Sequence, residues 1–523
     1  MRVLIFHGYL LRGTGSNIYT ANLCRALAAL GHEVHLVCQE REAGTLDLVD
    51  AVGSWEGGSL EVRVWREPAR VTVYNPDIGR ILPVYVADEY EGFDAVPFPD
   101  LDAAALERYI DANVAAVTDV VDRVSPDVAL AGHLVMGPVV LARALAGRVP
   151  YAVKVHGSAL EYTVRPHRER FLPYALEGLA GASCVLVGSR HTAESLWEVV
   201  AERRLPARTR LGPPGVDTES FRPHPLGERT QLLASLADRL EQGGAAAWGG
   251  EAGAAQALRA LDPARDRIVG YVGKLIVSKG LDLLLAAWPL VVAQQPEARL
   301  CIVGFGTYRD ALARALEGLR EGDLGALREM AARGRGLEGG PAGRLSYLTA
   351  FLEGLAGVRR ERYLEAARVA AGRVHFTGRL EHDDLPSVLP SFEALVVPST
   401  FPEAFGMVAA EGAACGALPL SAGHSGLAEV TAVLAEGLED PLRPLLSFQR
   451  GPGAVEEIAR KLLEWLQLDA ARRERTSASL ADTARRRFGW EAVARGVIAA
   501  ALGRLEELPR PGGAGESPGR ESG

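Results

Sequence analysis

The sequence predicts an α/β protein made of two units, each built on an open sheet of parallel strands, with a helical insertion in the second unit. Short β-branched runs alternate with amphipathic helical segments up to about residue 220, a pattern typical of parallel strands joined by crossover helices. The same alternation begins again at RIVGYVGKL, residues 267–275. The length of 523 residues also exceeds what a single hydrophobic core normally serves.

The first predicted unit covers residues 1–222. Its predicted strands are RVLIFHG, EVHLVCQ, DVALAGH, YAVKVHG and SCVLVGS, and its predicted helices lie around residues 17–30, 102–124, 137–147 and 190–201. Residues 223–265 are rich in Ala and Gly, with a short helix and no strand expected, so we interpret them as a linker or insertion.

The second predicted unit covers residues 266–489. Its predicted strands are RIVGYVGKL, ARLCIVGFG, RVHFTGRL, EALVVPS and LPLSAG. One interval, about 308–372, is far longer than a single crossover helix needs, and YRDALARALEGLR within it has helical periodicity, so we predict a helical insertion there. A last helix is expected over 490–506, and the composition of 507–523 is typical of a disordered tail.

Composition excludes several classes of protein. The net charge of −9 and the absence of a basic block argue against nucleic acid as a partner. No apolar run is long enough to span a membrane, and the first residues do not resemble a signal peptide. Peripheral membrane association and oligomeric state stay open.

The cysteines indicate a compartment. The chain has five of them, an odd number, widely spaced and mostly within apolar runs: Cys24, Cys38, Cys184, Cys301 and Cys415. This arrangement is typical of buried reduced thiols rather than of disulfides or a metal site. We therefore expect a cytoplasmic protein.

Lysine residues are rare in this chain, and half of them lie in one loop. Only four of the 57 basic residues are lysines, and two of them, Lys274 and Lys279, lie in GKLIVSKG between a predicted strand and a predicted helix. Ligands of open parallel sheets bind at the carboxyl ends of the strands. Two ammonium groups beside a helix N-terminus favour a phosphate or diphosphate as the ligand, although chance placement is the alternative.

A second loop, PSTFPEAFGMVAAEG, carries Glu403 and Glu411. If both lay on one helix, they would be two turns apart and within about 80° of each other, with Phe405 and Gly406 in the first turn, where amides are available to an anion. A carboxylate beside a diphosphate repels it, so hydroxyls of a sugar and a ribose are the expected ligands. A solvated helix face is the alternative.

Three further positions follow predicted strands or open helices. His156 comes directly after YAVKV, and it is interpreted either as a packed histidine or as a functional one. Gly13 and Gly15 precede a helix, but position 18 is Ile, so the dinucleotide-binding glycine pattern is absent. Asp100 and Asp102 form a D-x-D pair at the start of a helix, which we interpret as helix capping rather than metal binding.

Several segments together resemble the retaining glycosyltransferases of family 4. In chain order they are GPPGVDTESFRP, GKLIVSKGLDLLL, ARLCIVGFG, RVHFTGRL with HDDLP, VVPSTFPEAFGMVAAEG and SGLAEV. The resemblance covers nearly all of 1–506 except the stretches near 224–264 and 308–372. It implies the GT-B fold, in which two Rossmann-like domains face a central cleft and the helix over 490–506 returns to the first domain.

The resemblance also implies roles for individual residues. The donor diphosphate is expected at Lys274 and Lys279, although the family commonly has Arg at the first position. The other implied contacts are His156 and Glu403 to the donor sugar, Glu411 to the ribose, the amides of Phe405, Gly406 and Met407 to sugar and phosphates, Arg379 and Leu380 to the base, and the Gly13–Gly15 loop to phosphate and acceptor.

The expected function is transfer of a sugar, with retention, from a nucleotide diphosphate sugar to an acceptor hydroxyl. The candidate catalytic residues are His156, Lys279 and Glu403. No cofactor or metal is expected, because the lysines and helix amides would neutralise the departing diphosphate. Two alternatives stay open: a disaccharide phosphorylase or synthase with the same fold, and a binding protein of this fold without turnover.

Overall fold

The computed structural model describes residues 1–13, 15–85, 92–242 and 253–512. The chain forms two compact units, of which the first contains Met1–Gly215 and Trp490–Gly523 and the second contains Val216–Gly489. The sequence predicts the first boundary at residue 222 and the return to the first unit at residue 490.

The first unit contains a nine-stranded sheet with helices packed against it. Its elements, in chain order, are β1 (Arg2–Phe6), α1 (Gly15–Ala29), β2 (Glu33–Val37), β3 (Ala51–Glu56), β4 (Ser59–Val64), β5 (Val71–Tyr74), β6 (Ile81–Val84), β7 (Asp94–Pro97), α2 (Ala103–Val124), β8 (Val128–Gly132), α3 (Gly137–Leu145), β9 (Tyr151–Val155), α4 (Arg168–Ala180), β10 (Cys184–Val187), α5 (Arg190–Val200), α6 (Leu205–Arg208) and β11 (Thr209–Leu211).

The strand order in this sheet is β11-β10-β9-β8-β1-β2-β5-β3-β4, and all neighbours are parallel except β3 and β4. Strands β8 and β9 are buried along their whole length, which explains why their sequences are apolar apart from Lys154 in β9, since strands covered on both faces carry apolar residues at most positions. Five strands, β3 to β7, lie in a region for which the sequence analysis predicted none. Of these, β6 and β7 pair as a separate two-stranded sheet.

Helix α2 begins where the D-x-D pair was interpreted as a cap. The Asp102 carboxylate accepts a hydrogen bond of 2.6 Å from the Ala105 amide and is the N-cap of the helix. This is the contact that stabilises the otherwise unpaired amides of a first turn, so the capping interpretation of Asp102 is confirmed.

The second unit contains a six-stranded, fully parallel sheet in the order β14-β13-β12-β15-β16-β17. Its elements are α7 (Leu226–Gln242), α8 (Ala254–Arg259), β12 (Arg267–Val272), α9 (Leu281–Val292), β13 (Ala298–Val303), α10 (Arg309–Glu321), α11 (Gly325–Arg333), α12 (Ser346–Glu353), α13 (Gly357–Ala371), β14 (Val374–Gly378), β15 (Ala394–Val397), α14 (Met407–Ala414), β16 (Leu418–Ala422), α15 (Ser425–Ala435), β17 (Ser447–Phe448), α16 (Ala454–Leu466) and α17 (Ala470–Phe488).

The interval between β13 and β14 is helical, as predicted. Helices α10 to α13 fill it, and apolar side chains such as Leu327, Met330 and Phe351 are buried in the same core as α9. The Tyr363 hydroxyl donates to the Ala286 carbonyl of α9 at 2.9 Å. The insertion is therefore packed into the second unit rather than attached by its ends alone.

The Ala- and Gly-rich stretch before β12 also carries more structure than a linker. Helix α7 spans 17 residues, and its Leu233 and Leu236 are buried in the core of the second unit. Part of the predicted linker, residues 243–252, lies outside the described residues. Short turns of 3-10 helix occur at Ala43–Thr45, Phe98–Asp100, Val277–Lys279, Gly334–Leu337, His382–Ser387, Leu389–Ser391, Arg443–Leu446 and Leu505–Glu507, and a π-helical turn at Ala159–Val164.

The chain ends in the first unit. Helix α18 (Trp490–Ala501) packs with α1, and its Ala494 and Val497 are buried beside residues of that helix. After it, the Pro509 carbonyl accepts a hydrogen bond of 2.8 Å from the Leu211 amide, so the predicted tail is anchored at its start. Its remaining part, 513–523, is outside the described residues.

All five cysteines are buried and free, as the sequence predicted. Within the described ranges, none of the helices is both long and apolar enough to cross a membrane.

Candidate functional site

The loop that joins β12 to α9 carries both lysines and is held from two neighbouring loops. The Leu275 amide donates to the Phe305 carbonyl at 2.7 Å, and the Tyr308 amide donates back to the Leu275 carbonyl at 3.0 Å. On the other side, the Thr400 amide donates to the Ser278 carbonyl at 2.9 Å. The carboxyl ends of three adjacent parallel strands thus meet at this loop, the edge of such a sheet where ligands bind.

Lys279 and Glu403 form an ion pair between the β12–α9 loop and the loop after β15. Their side chains are 31% and 23% exposed. The Ser399 hydroxyl donates to the same carboxylate oxygen of Glu403 at 2.6 Å. The ion pair therefore joins two of the three residues that the sequence proposed as catalytic.

Burial acts to raise the pKa of the Glu403 carboxyl, but the charge and hydrogen bond of Lys279, together with the hydrogen bond from Ser399, lower that pKa below its usual value. Glu403 is consequently an ionised group at neutral pH that only accepts hydrogen bonds. Such a group binds hydroxyls and repels phosphates.

The prediction that Glu403 and Glu411 lie on one helix is wrong. Glu403 lies in the loop before α14, because that helix begins only at Met407. Phe405 and Gly406 also precede the helix instead of forming its first turn. Gly406 has φ of +127°, and a Cβ there would lie 2.7 Å from Leu427 Cδ2, so a glycine is needed to turn the chain into α14.

The loop around Glu403 is closed by the start of α15. The Glu403 amide donates to the Ser425 hydroxyl at 2.9 Å, and the Gly426 amide donates to the Glu403 carbonyl at 3.0 Å. His424 donates from Nε2 to the Ser399 carbonyl at 2.8 Å. The segment SGLAEV contributes to the resemblance, but nothing in its sequence predicts these contacts of Ser425 and His424.

Glu411 lies inside α14 and contacts a different partner from Glu403. Its side chain is 4% exposed, and its Oε1 is 2.8 Å from Nε2 of His382, which packs against the ring of Phe221 at 5.2 Å between centroids. His382 lies in the HDDLP segment, which is part of the resemblance and indicates that this residue is near the site. The sequence does not predict its contact with Glu411.

The segment proposed for the base follows β14. Arg379 forms an ion pair of 3.0 Å with Glu381 and lies over the ring of Phe305 at 5.3 Å from its centroid. Leu380 is partly buried and packs against the core. The carbonyl of Phe305 also accepts the hydrogen bond from the Leu275 amide. One backbone segment therefore contacts both the predicted base-binding residue Arg379 and the loop that carries the lysines.

In the first unit, His156 stands in a group of rings that the sequence analysis largely missed. It follows β9, with the His133 ring at 4.9 Å and the Tyr19 ring at 5.0 Å between centroids. His7 follows β1 and His133 follows β8, so three histidines follow three neighbouring strands. The signal for them was visible, since each comes directly after or within a predicted strand.

The electrostatics of this group keep His156 neutral. Burial is the main cause that lowers the pKa of His156 well below its ordinary value, and the nearby His133 and Lys154 act in the same direction. Burial also lowers the pKa of Lys154 to about 7. A neutral imidazole offers one nitrogen that donates and one that accepts, which suits contact with a hydroxyl.

Gly15 is the first residue of α1, and a Cβ at this position would meet nothing within 4 Å. Thr14 beside it is outside the described residues. In the part of the chain that the structure describes, no group of three or more His, Cys, Asp or Glu side chains is arranged to hold a metal ion.

Three profiles of glycosyltransferase families match parts of this chain. Residues 13–220 match the profile of Glycosyltransferase Family 4, and residues 266–327 and 355–479 match two profiles of Glycosyl transferases group 1. No curated protein sequence matches the chain.

Solved structures of low sequence identity share the fold. Sucrose-phosphate synthase from Thermosynechococcus elongatus aligns with a TM-score of 0.56 and 20% identity over 97% of this chain and 98% of that one. HepE from Anabaena in complex with UDP and glucose aligns with a TM-score of 0.53 and 16% identity over 95% and 98%. The catalytic domain of starch synthase IV from Arabidopsis thaliana bound to ADP and acarbose aligns with a TM-score of 0.58 and 12% identity over 97% and 99%.

Proposed function

Because this chain is a family 4-like glycosyltransferase with the GT-B fold, we propose that it transfers a sugar, with retention at the anomeric carbon, from a nucleotide diphosphate sugar to an acceptor hydroxyl. The observation that carries the proposal is the ion pair of Lys279 with Glu403 at the carboxyl ends of β12 and β15. One member suits a diphosphate and the other suits a sugar hydroxyl, so together they match the two halves of such a donor.

The proposed donor site lies in the second unit. Lys274 and Lys279 bind the diphosphate, and the amides of Phe405, Gly406 and Met407 add to the positive potential at the start of α14. Glu411 contacts the ribose, while Arg379 and Leu380 contact the base. The nucleotides bound by HepE and by starch synthase IV support a nucleotide as the ligand of this fold.

In the proposed mechanism, Lys279 exchanges part of its contact with Glu403 for the departing phosphate as negative charge develops there. Preorganised donors of this kind typically contribute about 3 kcal/mol to transition-state stabilisation each. Glu403 accepts a hydrogen bond from the sugar, and neutral His156 contacts the transferred sugar. The acceptor attacks from the face that the diphosphate leaves, and the departing phosphate takes its proton.

The proposed reaction needs no metal ion, because lysines and amides neutralise the diphosphate. The proposed place of action is the cytoplasm, where the five buried free cysteines would stay reduced.

The test is an assay of nucleoside diphosphate release from UDP-, ADP- and GDP-sugars with a set of sugar and sugar-phosphate acceptors, with and without EDTA. The anomeric configuration of the product is read by NMR. We expect acceptor-dependent release, retention and no loss of activity with EDTA. Inversion, or a loss with EDTA that magnesium restores, contradicts the mechanism. Phosphate-dependent breakdown of a disaccharide without any nucleotide would identify a phosphorylase instead.

A further inference from the structure

A carboxylate from the helical insertion reaches the β12–α9 loop. Glu338 lies directly after the 3-10 turn Gly334–Leu337, between α11 and α12. Its Oε2 accepts a hydrogen bond of 2.8 Å from the Val277 amide. Val277 begins the short turn that ends at Lys279, so this hydrogen bond joins the insertion to the segment that carries the proposed diphosphate ligand.

The Glu338 side chain is held in place from its own side. Its other oxygen, Oε1, is 3.3 Å from Nε of Arg335. The amides of Glu338 and Gly340 donate to the Arg335 carbonyl at 3.0 and 2.9 Å. Leu337, the preceding residue, packs against the core of the unit. The side chain is only 11% exposed, which leaves little room for it to move away from Val277.

Contacts with neighbouring loops also hold the β12–α9 loop on both sides of Val277. Leu275 is held by Phe305 and Tyr308, and Ser278 by Thr400. Val277 lies between these two anchor points, and its contact with Glu338 crosses 61 positions of the chain. A hydrogen bond from an amide to a carboxylate is stronger than one to a neutral acceptor, so it adds a further anchor two residues before Lys279.

Charge makes this anchor unexpected. The carboxylate lies beside a loop for which we propose an anionic ligand, and at short range it repels a diphosphate. Its presence therefore costs electrostatic attraction. What it can add in return is order in the loop, because a ligand that binds an already ordered loop does not lose the free energy of ordering it.

We propose that Glu338 is a positioning residue that orders the loop from Lys274 to Lys279, and that the helical insertion thereby sets the affinity of the protein for the donor diphosphate. The part about donor affinity rests on the proposed function. The two effects of the carboxylate, ordering and repulsion, have opposite signs, so different substitutions separate them.

Three variants carry the test. In Glu338→Gln the side chain keeps an oxygen that accepts from Val277 but loses the charge. In Glu338→Ala both are lost. Glu353→Ala is the matched control, because Glu353 lies in the same insertion, is 69% exposed and pairs with Arg344 away from the loop. Thermal unfolding of each variant establishes that it is folded.

The first measurement is hydrogen–deuterium exchange of peptides covering residues 273–280. We expect about tenfold faster exchange in Glu338→Ala, a factor that corresponds to a hydrogen bond of about 1.4 kcal/mol, and wild-type exchange in Glu338→Gln and Glu353→Ala. Equal exchange in Glu338→Ala and the wild type overturns the proposal, whether or not the protein binds nucleotides.

The second measurement is calorimetric titration with UDP, ADP and GDP. We expect the nucleotide that binds the wild type to bind Glu338→Ala about tenfold more weakly, and Glu338→Gln at least as tightly as the wild type. Tighter binding by both Glu338 variants would mean that the carboxylate only repels the ligand, and it overturns the positioning role. A wild type that binds none of the three nucleotides overturns the donor site itself and the part of the inference that concerns affinity, while the exchange result still decides whether Glu338 orders the loop.

Discussion

At the scale of single residues, the charge of Glu403 is set by its neighbours. Its pKa is lowered because the contacts with Lys279 and Ser399 outweigh burial. A carboxyl group with a lowered folded-state pKa stabilises the protein above its unfolded-state value, which is near 4.5, and that stabilisation disappears as the pH falls through the folded-state value. The ion pair is therefore expected to stabilise the fold at neutral pH and not in acid.

The first prediction concerns Glu403→Gln. At neutral pH we expect the free energy of unfolding to fall by about 1 kcal/mol, because a partly exposed charged hydrogen bond is lost. Urea unfolding from neutral pH to below pH 4.5 should show the gap between wild type and variant closing in acid. Glu365→Gln, at an exposed position of α13, is the control and should stay close to the wild type. A gap that does not depend on pH would contradict the ion-pair assignment.

The second prediction concerns the charge of His156. Because burial lowers its pKa well below the ordinary value, we expect the ring to stay neutral from pH 8 down to about pH 6, around the usual histidine pKa of roughly 6.5. In an NMR titration, its ring resonances, assigned by their loss in His156→Asn, should not move over this range. In urea the same ring should titrate near 6.5. Titration near 6.5 in the folded protein would show that the ring is solvated and would remove the argument for a neutral catalytic imidazole.

At the scale of elements, close approach of loops depends on small residues. Gly280 has φ of +67°, and a Cβ there would lie 2.1 Å from the Pro398 carbonyl oxygen. Because the opposing atom belongs to the backbone, it cannot turn away as a side chain would. Gly280 thus permits the contact between the β12–α9 loop and the loop after β15 on which the Lys279–Glu403 pair depends.

The third prediction is that Gly280→Ala lowers the free energy of unfolding more than Gly357→Ala does. Gly357 also has a positive φ, +49°, but a Cβ there meets nothing within 4 Å. Both variants carry the strain of a left-handed conformation, and only Gly280→Ala adds overpacking, which costs about 1–3 kcal/mol. Urea unfolding of the two variants measures the difference. Equal losses would mean that the two loops separate without cost.

The elements that the sequence predicted well are those whose environment is uniform. Buried parallel strands such as β8, β9 and β13 are apolar apart from Lys154 and Arg299, and such mostly apolar runs are recognised directly from sequence. The β3–β4 hairpin was missed although Gly57 and Gly58, both with positive φ, separate two strand-like runs, which is a known hairpin signal. Strands β6 and β7 contain Pro83 and Pro97, and proline argues against a strand in any local pattern.

In the candidate site, the sequence predicts individual residues but not the contacts between distant ones. Lys279 and Glu403 were predicted because rare lysines and a glutamate follow predicted strands. The contacts of Ser425 with Glu403, of His382 with Glu411 and of Glu338 with Val277 join residues 22, 29 and 61 positions apart. No local period relates such positions, so only the folded chain could show them. The helical relation assumed for Glu403 and Glu411 failed because α14 begins after Gly406.

At the scale of the whole molecule, the two units contribute different chemistry. The second holds charged groups at the carboxyl ends of its strands, and the first holds neutral histidines at the same end of its own. Structures with at most 20% identity cover nearly the entire chain. The same fold therefore forms from very different sequences that share a pattern of buried strands and helices. The function depends on the loop residues, and tests of function must change those residues.

The proposed function depends on the binding of a nucleotide diphosphate sugar through Lys279, which a thermal-shift screen can measure. Wild type, Lys279→Ala and Arg265→Ala are each melted with UDP, ADP, GDP and the corresponding nucleotide sugars. Arg265 is the control because it is 87% exposed and pairs only loosely, at 3.6 Å, with Asp262.

A ligand present at about 100 times its Kd adds about 2.7 kcal/mol to the stability of the folded protein. We predict that at least one nucleotide and its sugar raise the Tm of the wild type and of Arg265→Ala, and that the same ligands raise the Tm of Lys279→Ala much less. If no nucleotide stabilises the wild type, or if Lys279→Ala is stabilised equally, the proposed donor site is contradicted.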